Sequence, residues 1–280
     1  MNIQRKPEWL QKRVNPAEQG DMRRLLGELR LNTVCQQALC PNISECFGCG
    51  QATFLILGKN CTRLCAFCNV EKSAPLPVDR DEPGRVAEAV ARLGLAHVVI
   101  TSPTRDDLPD GGASLYAATV AAIRSSSAKT RIELLIPDFQ GSRISLECVA
   151  ASVPDIIAHN LETVPRLYHI RSGADYGRSL ELLRVCSEVA AGIRTKSGIM
   201  LGMGETEREV LQVFSDLRSV GCDYLSIGQY LAPSRRHHPV EEYVRPEVFE
   251  RLRDMALEAG FSHVESGPYV RSSYHAGEYR

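Results

Sequence analysis

Residues 53–68 read TFLILGKNCTRLCAFC, a short apolar run that empties into three closely spaced cysteines. The run Thr53–Leu57 has the β-branched and aromatic content of a buried strand. The cysteines that follow, Cys61-x3-Cys65-x2-Cys68, therefore occupy the loop at its C-terminal end. In a parallel α/β barrel that end of each strand is where chemistry is built. Three thiolates on one loop can hold three irons of a cubane cluster and leave the fourth without a protein ligand. That open iron can chelate a small molecule through an amine and a carboxylate. Structural zinc normally takes four protein ligands, and a spacing of three then two residues suits it badly. Upstream lies a second triad, Cys35-x4-Cys40-x5-Cys46, with only fourteen residues between it and the first cysteine of the other. Two triads of cysteines within 34 residues do not resemble buried thiols scattered through a core. Two triads imply two iron–sulfur clusters.

Outward from this stretch the chain alternates strand-like and helix-like segments. Further strands are predicted at His97–Thr101, Ile132–Ile136, Asp155–His159, Ile193–Met200 and Tyr224–Tyr230. Amphipathic stretches lie at Pro83–Leu93, Gly112–Ser125, Ser179–Ala190, Glu205–Val220 and Pro246–Ala259. Pro83 suits a first helical turn, and Gly94, Gly221 and Gly260 suit helix stops. Six βα units predict an α/β fold, a partial (β/α)6 barrel short of the eight units of a closed one. A doubly wound sheet fits the same alternation. The expected organisation is an N-terminal extension at 1–52 with the first triad, a barrel at 53–260, and a C-terminal segment at 261–280.

Composition bounds the rest. With 44% apolar residues in 280, the chain can bury a sizeable core. Ten cysteines are too sparse for a disulfide scaffold. No apolar run approaches the ~18 residues of a membrane span, and the first residues have no apolar signal core. These features predict a reduced, cytoplasmic protein without a membrane partner. A net charge of −1 gives no electrostatic case for nucleic acid.

The second triad, with Phe67 just before its last cysteine, resembles the radical S-adenosylmethionine (SAM) enzymes. Together with TVCQQALCPNISECF it resembles the lipoyl synthase family. The resemblance continues in order through RDDLPDGG (Arg105–Gly112), HNLETVPRLY (His159–Tyr168), GADYGRSLELL (Gly173–Leu183), TKSGIMLGMGET (Thr195–Thr206), DYLSIGQYLAPS (Asp223–Ser234) and GPYVRSSYHAGE (Gly267–Glu278). It implies a sulfurtransferase that uses two 4Fe-4S clusters and SAM to insert sulfur at C6 and C8 of an octanoyl chain on a carrier lysine. Cys61, Cys65 and Cys68 would hold the cluster that cleaves SAM. Cys35, Cys40 and Cys46 would hold an auxiliary cluster that is consumed as sulfur donor. The RSSY motif, residues 271–274, supplies the serine on its fourth iron. In an extended segment neighbours face opposite ways, so one serine, Ser273, is expected to reach it. An alkoxide matches iron less well than a thiolate does, which suits a bond meant to break.

For SAM itself, superfamily practice points to strand ends. These offer Phe67, Thr101, Ser102, Asn160, Glu162 and Lys196, with Asn and Glu able to bond ribose hydroxyls or an amine and Lys a carboxylate. Each is also an ordinary hydrogen-bonding or packing residue. The same holds for the charged loop Arg105, Asp106, Asp107 and Asp110. His159 reads as a buried core residue, and Cys148, Cys186 and Cys222 as core thiols. Cys49 and Phe47 depart from the family, and Cys49 is read as a bystander three residues from Cys46. Implied partners are octanoylated carrier domains (the glycine cleavage H protein and 2-oxoacid dehydrogenase E2) and a ferredoxin or flavodoxin donor. The basic pairs Arg5-Lys6, Lys12-Arg13, Arg23-Arg24 and Arg235-Arg236 could meet an acidic carrier. A tRNA methylthiotransferase would want a differently spaced auxiliary triad and a basic RNA-binding module. A ferredoxin-like electron carrier would not need the barrel.

Overall fold

The computed structural model describes residues 5–12, 15–189 and 192–279. Within them eight strands form one sheet: β1 (Asn32–Thr33), β2 (Thr53–Leu55), β3 (His97–Thr101), β4 (Arg131–Leu135), β5 (Ile156–Ala158), β6 (Arg194–Leu201), β7 (Tyr224–Gln229) and β8 (His263–Gly267). Their order in space is their order in the chain. A doubly wound sheet reverses order at a switch point, so that alternative is excluded. β1 lies antiparallel to β2 with Asn32 opposite Leu55. From β2 to β8 every pairing is parallel. Among the described residues β8 pairs only with β7, so the barrel stays open.

Helices α1 (Gly20–Glu28), α2 (Val34–Gln37) and α3 (Ile43–Gly48) belong to the N-terminal extension. The six crossovers carry α4 (Glu82–Leu93), α5 (Ala113–Ser126), α6 (Arg143–Ala151), α7 (Tyr176–Val189), α8 (Glu207–Ser219) and α9 (Pro246–Glu258). Gly94 closes α4 in the left-handed conformation that suits glycine. Thr206 and Glu209 start α8 with a reciprocal capping box. The six expected βα units are present. Two strands and α6 were not anticipated, and β8 extends the sheet into the C-terminal segment. Ala190, the expected end of one helix, lies outside the described residues.

Alternation along the strands sorts the core. Val98, Ile100, Ile132, Leu134, Ile157, Leu225 and Ile227 face the helices and join their buried apolar residues in one large cluster. The intervening positions face the barrel interior, and there the foot of the barrel is polar. Glu133 and Lys196, both fully buried, form an ion pair at 3.0 Å. Burial pushes the Glu133 carboxyl up, but Lys196 beside it prevails and holds it below the usual range. The interior is therefore a lined space whose chemistry differs from one end to the other.

Candidate active site

The loop after β2 is tied down before it reaches the cysteines. An Asn60–Glu71 bridge closes it, and the Cys61 N–H donates to the Glu71 carbonyl at 2.7 Å. Ala66 N–H donates to Ile170 O at 2.8 Å, and Lys72 Nζ donates to Cys65 O at 3.1 Å. Between Cys61 and Cys65, Arg63 is buried in a fork of carboxylates. It donates to Asp106 at 2.7 and 3.0 Å and to Asp138 at 2.6 and 3.0 Å. Arg178 donates to Asp138 at 2.8 Å. The cluster loop is thus pinned to the loops after β3 and β4. Its thiols sit close together. Burial, aided by the charge of neighbouring cysteines, pushes Cys68 up to about 12 and raises Cys65 as well. Such thiols release protons only to a strong Lewis acid.

Beside this triad lies a polar group of four residues. Glu162 has left-handed backbone (φ 66°) and bridges to β6, its N–H donating to Gly198 O and its carbonyl accepting from Met200 N–H. Burial raises its carboxyl against the pull of Arg171. Asn160 Nδ2 donates to Glu162 at 3.1 Å, and Ser272 Oγ donates to Asn160 Oδ1 at 3.0 Å. Arg171 Nη1 donates to the carbonyls of Asn160 and Leu161 at 2.9 and 3.0 Å. Its Nε is buried without a hydrogen-bond partner among the described residues. An orphaned guanidinium N–H near Cys65 and Glu162 is what the carboxylate of an amino-acid ligand needs.

The first triad opens on a cavity of about 290 Å³, lined by Cys35, Cys40, Cys46, Thr53, Arg271 and Ser273 among others. Ser273 Oγ accepts from Thr53 Oγ1 at 2.7 Å. Burial pushes Cys46 up to about 12 and Cys35 to about 11, and each feels the charge of another cysteine of the triad. Three thiols and one hydroxyl facing a single cavity fit a cubane cluster with one oxygen ligand. The residues 271–274 form a turn closed by Tyr274 N–H to Arg271 O at 2.9 Å, not the extended segment expected. The two serines still diverge, Ser272 to Asn160 and Ser273 to the cavity. Asn69 Nδ2 donates to Gln37 O at 2.7 Å and ties the two cysteine loops together directly.

The other expected site residues have the following partners. Thr101 Oγ1 donates to Leu135 O, and Ser102 accepts from Tyr116 OH. Phe67 packs on the main core. Lys196 is the third residue of β6, at the foot of the barrel, with its ammonium committed to Glu133 and to the Tyr279 ring. It is therefore far down the strand from the position a strand-end ligand needs, and Arg171 holds the free N–H instead. The RDDLPDGG motif is scaffold: Arg105 pairs with Asp107 and donates to Leu57 O, Asp106 holds Arg63, and Asp110 accepts from Gly112 and Ser114 N–H. His159 is buried between Ile136 O and Ser179 Oγ, as read. Cys49 is exposed at the cavity rim. Of the basic pairs, Lys12 is held by Asn42 and Glu45, Arg23 by Gln19 and Arg24 by Asp21. Arg235 and Arg236 are exposed, and Arg13 lies outside the described residues. Arg63 was hinted at by its place inside the triad. Nothing in the sequence around Arg171 marks it.

A model of the radical SAM superfamily matches residues 55–217. A protein of Geobacter metallireducens named lipoyl synthase is 70% identical over 100% of this chain and 99% of its own length. One of Alkaliphilus metalliredigens with the same name is 55% identical over 99% of this chain and 97% of its own. Among solved structures, methylornithine synthase shares the fold with a TM-score of 0.57 at 15% identity, covering 88% of this chain and 81% of that one. SuiB of Streptococcus suis, bound to SAM, does so at 0.60 and 12%, covering 88% of this chain and 54% of that one.

Proposed function

The chain belongs to the lipoyl synthase family, a branch of the radical SAM superfamily, and from this premise we propose that its two cysteine triads hold two clusters with divided roles. The reaction is radical insertion of two sulfur atoms, at C6 and C8 of an octanoyl chain amide-linked to a carrier lysine. Those C–H bonds are unactivated, and no side-chain acid or base could break them. Bound, one cluster supplies the electron that splits SAM to a 5′-deoxyadenosyl radical, and the other supplies sulfur.

In this reading Cys61, Cys65 and Cys68 hold the first cluster, on a loop that Arg63 keeps rigid. Arg171 Nε takes the carboxylate of SAM, while Asn160 and Glu162 take its amine or ribose hydroxyls. Cys35, Cys40, Cys46 and Ser273 hold the second cluster. The observation that carries the assignment is the pair of adjacent hydroxyls. Ser272 bonds Asn160 at 3.0 Å, and Ser273 faces the cavity of the other triad. One turn of chain thus touches both centres, as sulfur transfer between neighbouring sites requires. The octanoylated H protein or E2 domain is proposed to dock against the exposed Arg235 and Arg236. The electron donor is proposed to be a ferredoxin or flavodoxin. Cluster thiols require a reducing compartment, which supports a cytoplasmic placement; no described helix is long and apolar enough to cross a membrane.

The test is anaerobic turnover of the reconstituted protein with SAM, reductant and an octanoyl-lysine peptide, read by mass spectrometry. Two sulfurs gained together with 5′-deoxyadenosine is the expected result. Deoxyadenosine from a fully loaded protein without sulfur gain would refute the division of roles.

A further inference from the structure

The C-terminal segment runs back along the barrel and places one buried aromatic ring, that of Tyr279, at its foot. It leaves β8 at Gly267 and turns back, with Val270 N–H donating to Gly267 O at 3.0 Å. It passes so close to β7 that a Cβ on Gly228 would lie 2.1 Å from the Val270 carbonyl oxygen. After the two serines, His275 takes left-handed backbone (φ 51°), and a 3-10 turn at Ala276–Glu278 lays Gly277 against His97, the first residue of β3. Tyr279 is then fully buried.

The Tyr279 ring is gripped at the foot of the barrel on several sides. Its centroid lies 4.5 Å from that of His263 and 5.4 Å from that of Tyr224, the first residues of β8 and β7. Lys196 Nζ sits 3.6 Å from the ring centroid, a desolvated cation on an aromatic face. The same ammonium is paired with Glu133 at 3.0 Å. Arg131, which begins β4, donates from Nη1 to the Tyr279 backbone carbonyl. Four strands therefore contribute to holding one residue, which lies six positions beyond Ser273. The 290 Å³ cavity is bordered by this same stretch, since Ala276, Gly277 and His97 line it together with Ser273.

We propose that Tyr279 is a positioning residue, a latch in the barrel foot that fixes Ser273 at the auxiliary site. This rests on the reading of Ser273 as the oxygen ligand there. A ligand meant to be released gains nothing from strong bonding of its own; it needs a tether that returns it to the same place. The ring and its cage supply that tether without touching the cluster. The phenolic oxygen has no hydrogen-bond partner among the described residues, so the ring, not the hydroxyl, carries the effect.

Two measurements on the full chain test this. Amide hydrogen exchange over residues 268–279 of the cluster-free protein reads the latch alone. Tyr279→Ala is expected to speed it by about tenfold or more, while Tyr279→Phe leaves it unchanged. Mössbauer spectra of the iron-57-loaded holoenzyme read the oxygen-ligated iron. Tyr279→Ala is expected to lose that subsite as Ser273→Ala does, with 5′-deoxyadenosine release in the absence of octanoyl substrate kept within about twofold. An unchanged exchange rate, or loss of both clusters together, would overturn the latch. A Ser273→Ala spectrum identical to wild type would instead overturn the ligand reading, leaving the exchange result to judge the latch by itself. Should Tyr279→Ala give no soluble protein, Arg131→Met removes the grip on the Tyr279 carbonyl and leaves the ring in place. It is expected to speed exchange about threefold, and no change would again refute the proposal.

Discussion

Replacing Arg63 by methionine should loosen the loop that carries Cys61, Cys65 and Cys68, and the size of the effect follows from its partners. The Asp138 carboxyl is held at about 2 against an ordinary 3.8. By linkage that corresponds to about 2.4 kcal/mol of stability at neutral pH. Burial opposes the shift, and Arg63 is the largest of the forces that overcome it, ahead of the Gln140 N–H and Arg178. Asp106 is more exposed, so its pairing adds only about 0.5 kcal/mol. Methionine regains the cost of burying the guanidinium but leaves Asp138 to the Gln140 N–H and Arg178. The expected net loss is about 2–3 kcal/mol. Urea unfolding of the cluster-free protein measures it. Because the folded carboxyl is depressed, its contribution is present above pH ~4 and lost as pH falls towards 2. The gap between wild type and variant should narrow across that window. A gap under about 0.5 kcal/mol at pH 7, or one that does not change in acid, would refute the role given to Arg63.

Gly228→Ala puts a methyl group where the Val270 carbonyl passes; sulfur insertion should fall by about tenfold or more while deoxyadenosine release persists, as mass spectrometry of both products would show. Arg171→Met should weaken SAM binding to the cluster-loaded protein by about 10- to 100-fold in equilibrium dialysis, and binding within twofold of wild type would remove it from the site. Burial pushes His159 down from 6.5 to about 4, so its contribution is complete above 6.5 and is lost as pH falls to 4, about 3 kcal/mol in all; His159→Gln should flatten the unfolding profile there. Cys49→Ala should leave iron content and turnover unchanged, since Cys49 is exposed at the rim while three buried or half-buried thiols and Ser273 face the cavity.

What could be read in advance was whatever a local pattern encodes. The cysteine spacings and the apolar strands β3 to β7 are of that kind, whereas the divergence of Ser272 from Ser273 was expected from an extended segment and is made instead by a turn. β8 was missed because HVESG is polar at alternate positions; His263 and Glu265 face the interior, where the foot is built of ions and aromatic rings. α6 was missed although Leu146, Val149 and Ala150 lie on one buried face, because only nine residues carry the pattern. Lys196 was misplaced for a geometric reason. It is the second residue of the motif TKSGIML, but the strand runs on to Leu201, so the residue lies near its start. Arg63 and Arg171 owe their roles to partners 43, 75 and 10 or 11 residues away, which no short window contains.

The turn at 271–274 carries one last implication, for how such a chain can drift. Ser272 and Ser273 are neighbours, and the distance between their Cα atoms is set covalently at about 3.8 Å. No repacking elsewhere can alter that interval, so the turn acts as a ruler between the two centres. Side chains around it are free to vary so long as the backbone path survives. Its length is not: one inserted or deleted residue would move one hydroxyl out of reach while leaving the other in place. Substitutions should therefore accumulate around this segment over time, but insertions and deletions within it should not.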